Sequence, residues 1–307
     1  MIDERLTFRK FEMFLAFMKT ENIGRAAEAL NLSTVSVHRA LHSIEEALSC
    51  PLFIHQGRGL KPLPSAYEFE RHAKELLQGI HTAIEDTQRT AGITTTRMRL
   101  GTLYSLTVHT IPRLIMDMKS RRPELEFELV MGSNQKLMDE LDLNRLDAIV
   151  IETYSQEIDP SRYVALDLFR DALFLAVPTS WKGHLGPEAD LKDFRNEKFI
   201  ALSEGFATYA NFQTAFGIAG FQPQIVTRVS DIFSMISLVQ AGVGIALLPG
   251  RMCSVYESTI RLVRLAAPYQ ISQTIGVVFS KKREHESNLL ALAAVGRMFA
   301  NDMRKLS

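Results

Sequence analysis

Between Asn22 and Leu48 the apolar positions follow a helical period twice, with a polar break between the two halves. In the second half Val37, Leu41, Ile44 and Leu48 recur at i, i+4, i+7 and i+11, one apolar stripe at about 100° per residue. In the first half Ala26, Ala27 and Leu30 supply a small-residue inward face, and Asn31-Leu32 interrupts it before Ser33. Ser33 suits an N-cap, because its hydroxyl can accept from an unpaired amide of the helix that follows. Upstream, Phe8, Phe11, Leu15 and Met18 keep the same spacing over Thr7 to Thr20. The pair cannot bury its own stripe, so this third helix closes a small core. The pattern predicts a helix-turn-helix inside a three-helix unit.

The face opposite the stripe offers Val35, His38, Arg39 and His42, and the first turn adds Thr34 and Ser36. These side-chain types read base edges in a DNA major groove; an ordinary solvated helix carries similar residues. The next stretch weighs between them. Ser49 to His55, Gln56-Gly-Arg-Gly59 and Leu60 to Leu63 make an extended run, a glycine-flanked turn and a second extended run, the pattern of a β-hairpin. Such a hairpin on a helix-turn-helix is a wing. Gly57 and Gly59 let the backbone bend around Arg58, which with His55 and Lys61 can reach phosphate or the minor groove.

From Ser65 to Ala91 the chain reads as one long helix. Leu76, Ile80 and Ile84 continue a seam flanked by charged and polar positions, more like a coiled-coil dimer face than a core helix. A polar linker follows. Beyond it lie short apolar strands at Arg97–Gly101, Leu125–Val130, Ala148–Ile151, Ala172–Val177, Lys198–Leu202, Gln224–Val229 and Gly244–Leu248. Amphipathic helices such as Ile111 to Lys119 and Ile232 to Gln240 alternate with them. Alternation of this kind predicts doubly wound α/β units, which bind small ligands beyond the carboxyl ends of their strands. At those ends stand Thr102 to Thr107, Met131 to Gln135 and Ser203 to Tyr209, rich in hydroxyls. Hydroxyls and helix-terminal amides suit a small carboxylate; single caps and turns use the same residues.

Composition limits the function classes. The 307 residues exceed one typical domain, and 46% apolar with 23% charged residues is a globular balance. Net charge is zero, so any DNA contact rests on a local patch. No apolar run reaches the ~20 residues of a membrane span and the N-terminus is not a signal peptide, so a cytoplasmic product is expected. Cys50 and Cys253 stand far apart without zinc-type spacing. Phosphate-loop, nucleophile-elbow, zincin and dinucleotide-binding motifs are missing. His38 and His42 lack a third ligand. Neither enzyme, metal nor cofactor is expected.

The runs Gly24-Arg-Ala-Ala-Glu-Ala-Leu30, Leu32-Ser-Thr-Val-Ser-Val-His-Arg39, Leu41-His-Ser-Ile-Glu-Glu46, Pro51-Leu-Phe53 and Gln240-Ala-Gly-Val-Gly-Ile-Ala-Leu-Leu-Pro249 resemble the LysR-type transcriptional regulators over nearly the whole chain. The resemblance implies an N-terminal winged helix-turn-helix (1–64), a dimerising linker helix (65–91), a linker (92–96) and a two-lobed periplasmic-binding-protein-like α/β effector domain (97–307). Lobe I would take about 97–161 and 269–307, and lobe II about 162–268, with crossings near Ser155 to Arg162 and Pro268 to Thr274. Ser33, Thr34, Val35, Ser36, His38, Arg39 and His42 would meet double-stranded DNA, with Arg58 and Lys61 on phosphate or minor groove. The family usually has other residues at Val35 and His38, where base preference would differ. Homodimer or homotetramer assembly and contact with RNA polymerase are further expectations.

Within that family the strand-end segments and Asp231 to Leu238 are similar to regulators of malonate-decarboxylase operons. That likeness implies a dicarboxylate such as malonate between the lobes, on Ser105, Thr107, Ser133, Asn134, Ser203 and Thr208, with Arg228 as counter-charge. Two alternatives remain: a solute-binding or carboxylate-processing α/β protein with no DNA role, and a regulator of this type with another effector.

Overall fold

Phenylalanines of one helix organise the first unit, residues 1–93. The protein is described from a computed structural model covering residues 3–56, 59–91, 96–153, 158–256 and 258–306. Helix α1 (Phe8–Thr20) begins at Thr7, whose hydroxyl accepts from the Lys10 amide. It buries Phe11, Phe14, Phe17 and Met18. Phe8, expected inward, is 50% exposed. The inward face is turned toward Phe14 and Phe17 because these meet aromatic partners remote in sequence: Phe69 with ring centroids 5.0 Å apart and Phe53 at 5.1 Å.

Helix α2 (Ile23–Ala29) is capped by Asn22, and Asn31 makes the turn with φ +54°, a left-handed conformation that asparagine tolerates. Helix α3 (Thr34–Leu48) buries Val37, Ala40, Leu41 and Ile44. Strands β1 (Phe53–Gln56) and β2 (Gly59–Pro62) pair antiparallel. Arg58 lies outside the described residues. Helix α4 (Pro64–Thr90) changes character along its length. Ala66 and Ala73 are fully buried in the three-helix core and Phe69 and Leu77 pack on it, whereas Leu76 and Ile84 stay 53% and 50% exposed.

The second unit, residues 94–307, opens with β3 (Arg97–Thr102), α5 (Thr110–Arg121), β4 (Glu126–Met131), α6 (Asn134–Asp142) and β5 (Ala148–Glu152), a parallel set ordered β4-β3-β5. There follow β6 (Tyr163–Pro178), β7 (Glu188–Ala189), β8 (Lys198–Leu202), α7 (Ala207–Ala219), β9 (Gln224–Val229), α8 (Ile232–Gln240) and β10 (Ala246–Pro249). Last come α9 (Cys253–Tyr256), β11 (Ile260–Leu265), β12 (Ser272–Ser280) and α10 (Ser287–Leu306). One mixed sheet runs β4-β3-β5-β12-β6-β11-β7, with β10 also on β6; β8 and β9 pair in parallel.

Two lobes share β6. Its first part, Tyr163 to Ala172, pairs with β12 and belongs to the core of β3, β4, β5 and α10. From Leu173 onward it pairs with β10 and β11 and faces two further apolar clusters. The chain therefore passes between lobes at Ala172 and Leu173, inside a strand, later than the loop expected near Ser155 to Arg162; residues 154–157 lie outside the described set. It returns through the turn Ala267–Tyr269 into β12.

The strand pattern missed β11, β12 and the first half of β6. β12 lies antiparallel between β5 and β6, and its register shifts between Ile275 and Gly276. A Cβ at Gly276 would fall 2.9 Å from the Leu166 carbonyl oxygen, so the irregular register requires glycine there. No helix of the described residues is long and apolar enough to cross a membrane.

Candidate functional site

The outer face of α3 is set by its cap and its stripe. Ser33 Oγ accepts from the Ser36 amide at 3.1 Å, and with Val37 and Leu41 inward, Thr34, Val35, Ser36, Arg39 and His42 are exposed and His38 is half-buried. Val35 is 57% exposed, an apolar side chain left in water where a thymine methyl could cover it. The His38 and His42 rings meet edge to face at 4.8 Å, and His42 Nδ1 lies 3.4 Å from Glu45.

Glu45 ties this helix to the wing. Its Oε1 accepts from the backbone amides of Leu52 at 2.8 Å and Phe53 at 3.0 Å, and Ser65 Oγ donates to the Pro51 carbonyl at 2.6 Å. The hairpin root is thus fixed to α3 with Lys61 exposed on β2. Sequence reasoning missed Glu45, whose role shows only once the hairpin is folded back.

The second site is a cleft between the lobes, lined by residues just beyond strand ends. After β3 come Leu103, Tyr104 and Ser105; after β4, Asn134 at the start of α6. After β8 come Phe206, Ala207 and Thr208 opening α7; after β9, Ile232 opening α8; after β10, Arg251. Asn134 is fully buried and holds both lobes: its Nδ2 donates to the Glu152 carbonyl at 2.8 Å and its Oδ1 accepts from the Ala207 amide at 3.4 Å. The Gln135 amide donates to the Gly205 carbonyl at 3.3 Å. Gly205 has φ +88°, and a Cβ there would lie 3.2 Å from Ser133 Oγ.

Of the expected ligand contacts, Ser105, Asn134 and Thr208 line this cleft. Thr107, Ser133 and Ser203 do not line it and serve the local fold. Thr107 donates to the Tyr104 carbonyl, Ser133 caps α6, and Ser203 donates to the Val229 carbonyl. Arg228 is exposed on β9, outside the lining. The cation in the cleft is Arg251, with a 10% exposed side chain. Its Nε donates to Ser105 Oγ at 2.9 Å, and its Nη1 donates to Asp171 Oδ2 at 2.8 Å and Gln273 Oε1 at 3.0 Å. Burial pushes its pKa below the ordinary guanidinium value, against the opposing pull of the Asp171 and Glu152 carboxylates. The available signal was position: Pro249-Gly-Arg251 follows an apolar strand directly, as the other lining segments do.

The family relation follows from the chain itself. Residues 8–66 match the bacterial regulatory helix-turn-helix protein, lysR family, and residues 92–298 match the LysR substrate binding domain. The chain belongs to the LysR family. This LysR-type regulator is 52% identical, over 304 residues and 99% of each chain, to the malonate utilization transcriptional regulator of Klebsiella pneumoniae. It is 26% identical over 281 residues to the transcriptional dual regulator GltC of Bacillus subtilis (strain 168), covering 91% of this chain and 92% of that one.

Its fold is shared with CbnR, a LysR family transcriptional regulator, at TM-score 0.69 and 18% identity, covering 96% of this chain and 99% of that chain. Full-length CbnR complexed with its target DNA gives TM-score 0.71 at 18% identity, with 96% and 100% covered. The LysR-type chain is a DNA-binding transcriptional regulator. This excludes the reading as a solute-binding or carboxylate-processing protein with no DNA role.

Proposed function

We propose that this regulator senses a short dicarboxylate, malonate, in the cleft between its lobes and controls genes for its use. The observation that carries the reading is Arg251, a buried guanidinium in a cleft otherwise lined by hydroxyl, amide and apolar groups at strand ends; a charge-assisted pair in such a place is strong and directional. The malonate utilization regulator at 52% identity supports the choice of ligand. Acting on DNA, the protein works in the cytoplasm.

Thr34, Val35, Ser36, Arg39 and His42 read the major groove, with His38 and Ser33 at its margin, and Arg58 and Lys61 hold the flanking backbone. The exposed row Leu76, Ile80 and Ile84 on α4 pairs with its copy in a dimer, burying side chains that each contribute roughly 1.5–3 kcal/mol when removed from water. Two winged units at fixed spacing then meet a two-fold site. Ligand binding shifts the balance between lobe arrangements and so the DNA contacts.

The test is a thermal-shift series with malonate, succinate, acetate and malonamide, followed by a gel shift on the gene's own upstream region. Malonate should raise the melting temperature most, since a ligand that binds only the folded state stabilises it by mass action. It should also alter a salt-sensitive DNA complex. A larger shift from uncharged malonamide than from malonate would overturn the carboxylate reading.

A further inference from the structure

The two carboxyl oxygens of Glu45 face different partners. Oε1 accepts from the Leu52 amide at 2.8 Å and the Phe53 amide at 3.0 Å, where the chain enters the wing. Oε2 lies 3.4 Å from Nδ1 of His42, one turn earlier on α3. The glutamate side chain is 17% exposed and the imidazole 50% exposed, so the acid sits inside and the ring reaches out past it. His38, a turn earlier again, meets the ring edge to face at 4.8 Å. The ring is thus held from both neighbouring turns, and its Nε2 has no partner among the described residues.

The wing amides decide how the carboxylate is presented. Two donors on Oε1 fix the group, and Oε2 is left to the imidazole. A carboxylate oxygen only accepts, and a neutral imidazole carries its one proton on either of two nitrogens. At 3.4 Å the contact is longer than an ordinary hydrogen bond, and the carboxylate acts through its field, which favours the tautomer with the proton on Nδ1. Nε2 is then an acceptor. In a major groove an acceptor meets the exocyclic amine of adenine or cytosine, whereas a donor meets guanine O6 and N7 or thymine O4. The state of one ring nitrogen therefore chooses between bases.

We propose that Glu45 is a positioning residue for base recognition: with one oxygen fixed by the wing root, its other oxygen sets the tautomer of His42 and so the hydrogen bond that His42 offers to DNA. The inference rests on the reading of the outer face of α3 proposed above and adds the group that decides what His42 reads. Glu45 itself needs no contact with a base; it acts through the ring. One side chain then serves both the placing of the wing and the base preference of α3.

The test compares full-length wild type, His42→Ala, Glu45→Gln and the double variant by gel shift on the protein's own upstream DNA, each base pair of the bound site replaced in turn. The pH is about 8.5, where imidazoles are neutral. His42→Ala marks the base pair that the ring reads, where discrimination should fall by about three- to ten-fold, the worth of one hydrogen bond. Glutamine keeps a carbonyl oxygen for the wing amides and turns its NH2 toward His42, which favours a bare Nδ1 and a proton on Nε2. Glu45→Gln should therefore change the preferred base at that same pair and leave the others as in wild type. In the His42→Ala background it should change no preference further, since a residue acting through the ring has no effect without it. A Glu45→Gln profile identical to wild type, an even loss at every base pair, or the same change in the absence of the ring overturns the inference. A second measurement does not depend on that variant: nitrogen NMR of the histidine rings in the wild-type chain, with the His42 signals assigned by their loss in His42→Ala, should place the proton on Nδ1, and a proton on Nε2 overturns the inference. An unaltered base profile in His42→Ala overturns instead the reading of His42 as a base contact, and this inference with it.

Discussion

Helix α3 and the cleft each carry an arginine in the sites proposed above, and the two are held in opposite ways. Arg39 stands on the outer face of α3, exposed, with no hydrogen-bond partner among the described residues. Arg251 is buried, with bonds to a serine, an aspartate and a glutamine. An exposed guanidinium keeps its hydration and waits for a partner that brings many phosphates and base edges, so the fold hardly depends on it. A buried one must be satisfied before the ligand arrives. The proposed DNA face is thus separable from stability, while the proposed ligand cleft is part of the fold's own electrostatics.

The sharpest break of that comparison is Asp171→Ala. It leaves Arg251 buried without its acid, and removing one partner of such a pair costs about 3–5 kcal/mol. Urea unfolding of the variant should show the loss in full. A variant within about 0.5 kcal/mol of wild type, the range of surface substitutions, would mean that Arg251 is free to turn to water. Arg39→Ala should do the reverse: stability within about 0.5 kcal/mol of wild type, and operator affinity lower by about 1–3 kcal/mol with relaxed base preference. Effector affinity should not change, and equal loss of both activities would remove α3 from the DNA site.

A gentler probe of the buried charges is pH. Asp147 lies in lobe I, where burial alone would raise its carboxyl pKa; Arg283 at 2.8 Å, Arg99 and the Arg99 amide at 2.7 Å bring it below the ordinary value instead. A carboxyl lowered in the folded state gives stability that is complete above the unfolded aspartate value of about 3.9 and is lost as pH falls through the folded value. Acid titration followed by circular dichroism should therefore show the effector unit losing stability below about pH 4, and Asp147→Asn should flatten that part of the curve.

The same contrast explains what could be read from the chain beforehand. The face of α3 is written in one contiguous run, where a cap at Ser33 and a stripe through Val37, Leu41 and Ile44 fix which side faces out. Local periodicity suffices for it. The cleft is assembled from the ends of β3, β4, β8, β9 and β10, and neighbouring residues at those ends look alike. Ser105 and Thr107 are two positions apart, yet one meets Arg251 and the other closes its own turn. Arg228 lies within β9 and Arg251 just beyond β10, and the sheet order, which puts β10 against β6 beside Asp171, brings Arg251 into the cleft. Asp171 and Gln273 sit on strands whose polar residues hid them, since a buried polar residue breaks the alternation by which a strand is recognised.

The smallest effect separates cap from contact at the one residue where both meet. Ser33 accepts from the Ser36 amide and opens the helix proposed to face DNA. Ser33→Ala removes the cap and should cost about 1 kcal/mol of stability. Ser33→Asp keeps it, since aspartate caps as well as serine and its charge is favourable at a helix N-terminus. That same charge would stand beside DNA phosphate, so Ser33→Asp should fold like wild type and bind operator less well, with the deficit shrinking as salt screens the repulsion. Full operator affinity in a stable Ser33→Asp variant would place the start of α3 away from the phosphate backbone, leaving recognition to Arg39 and His42 further along the helix.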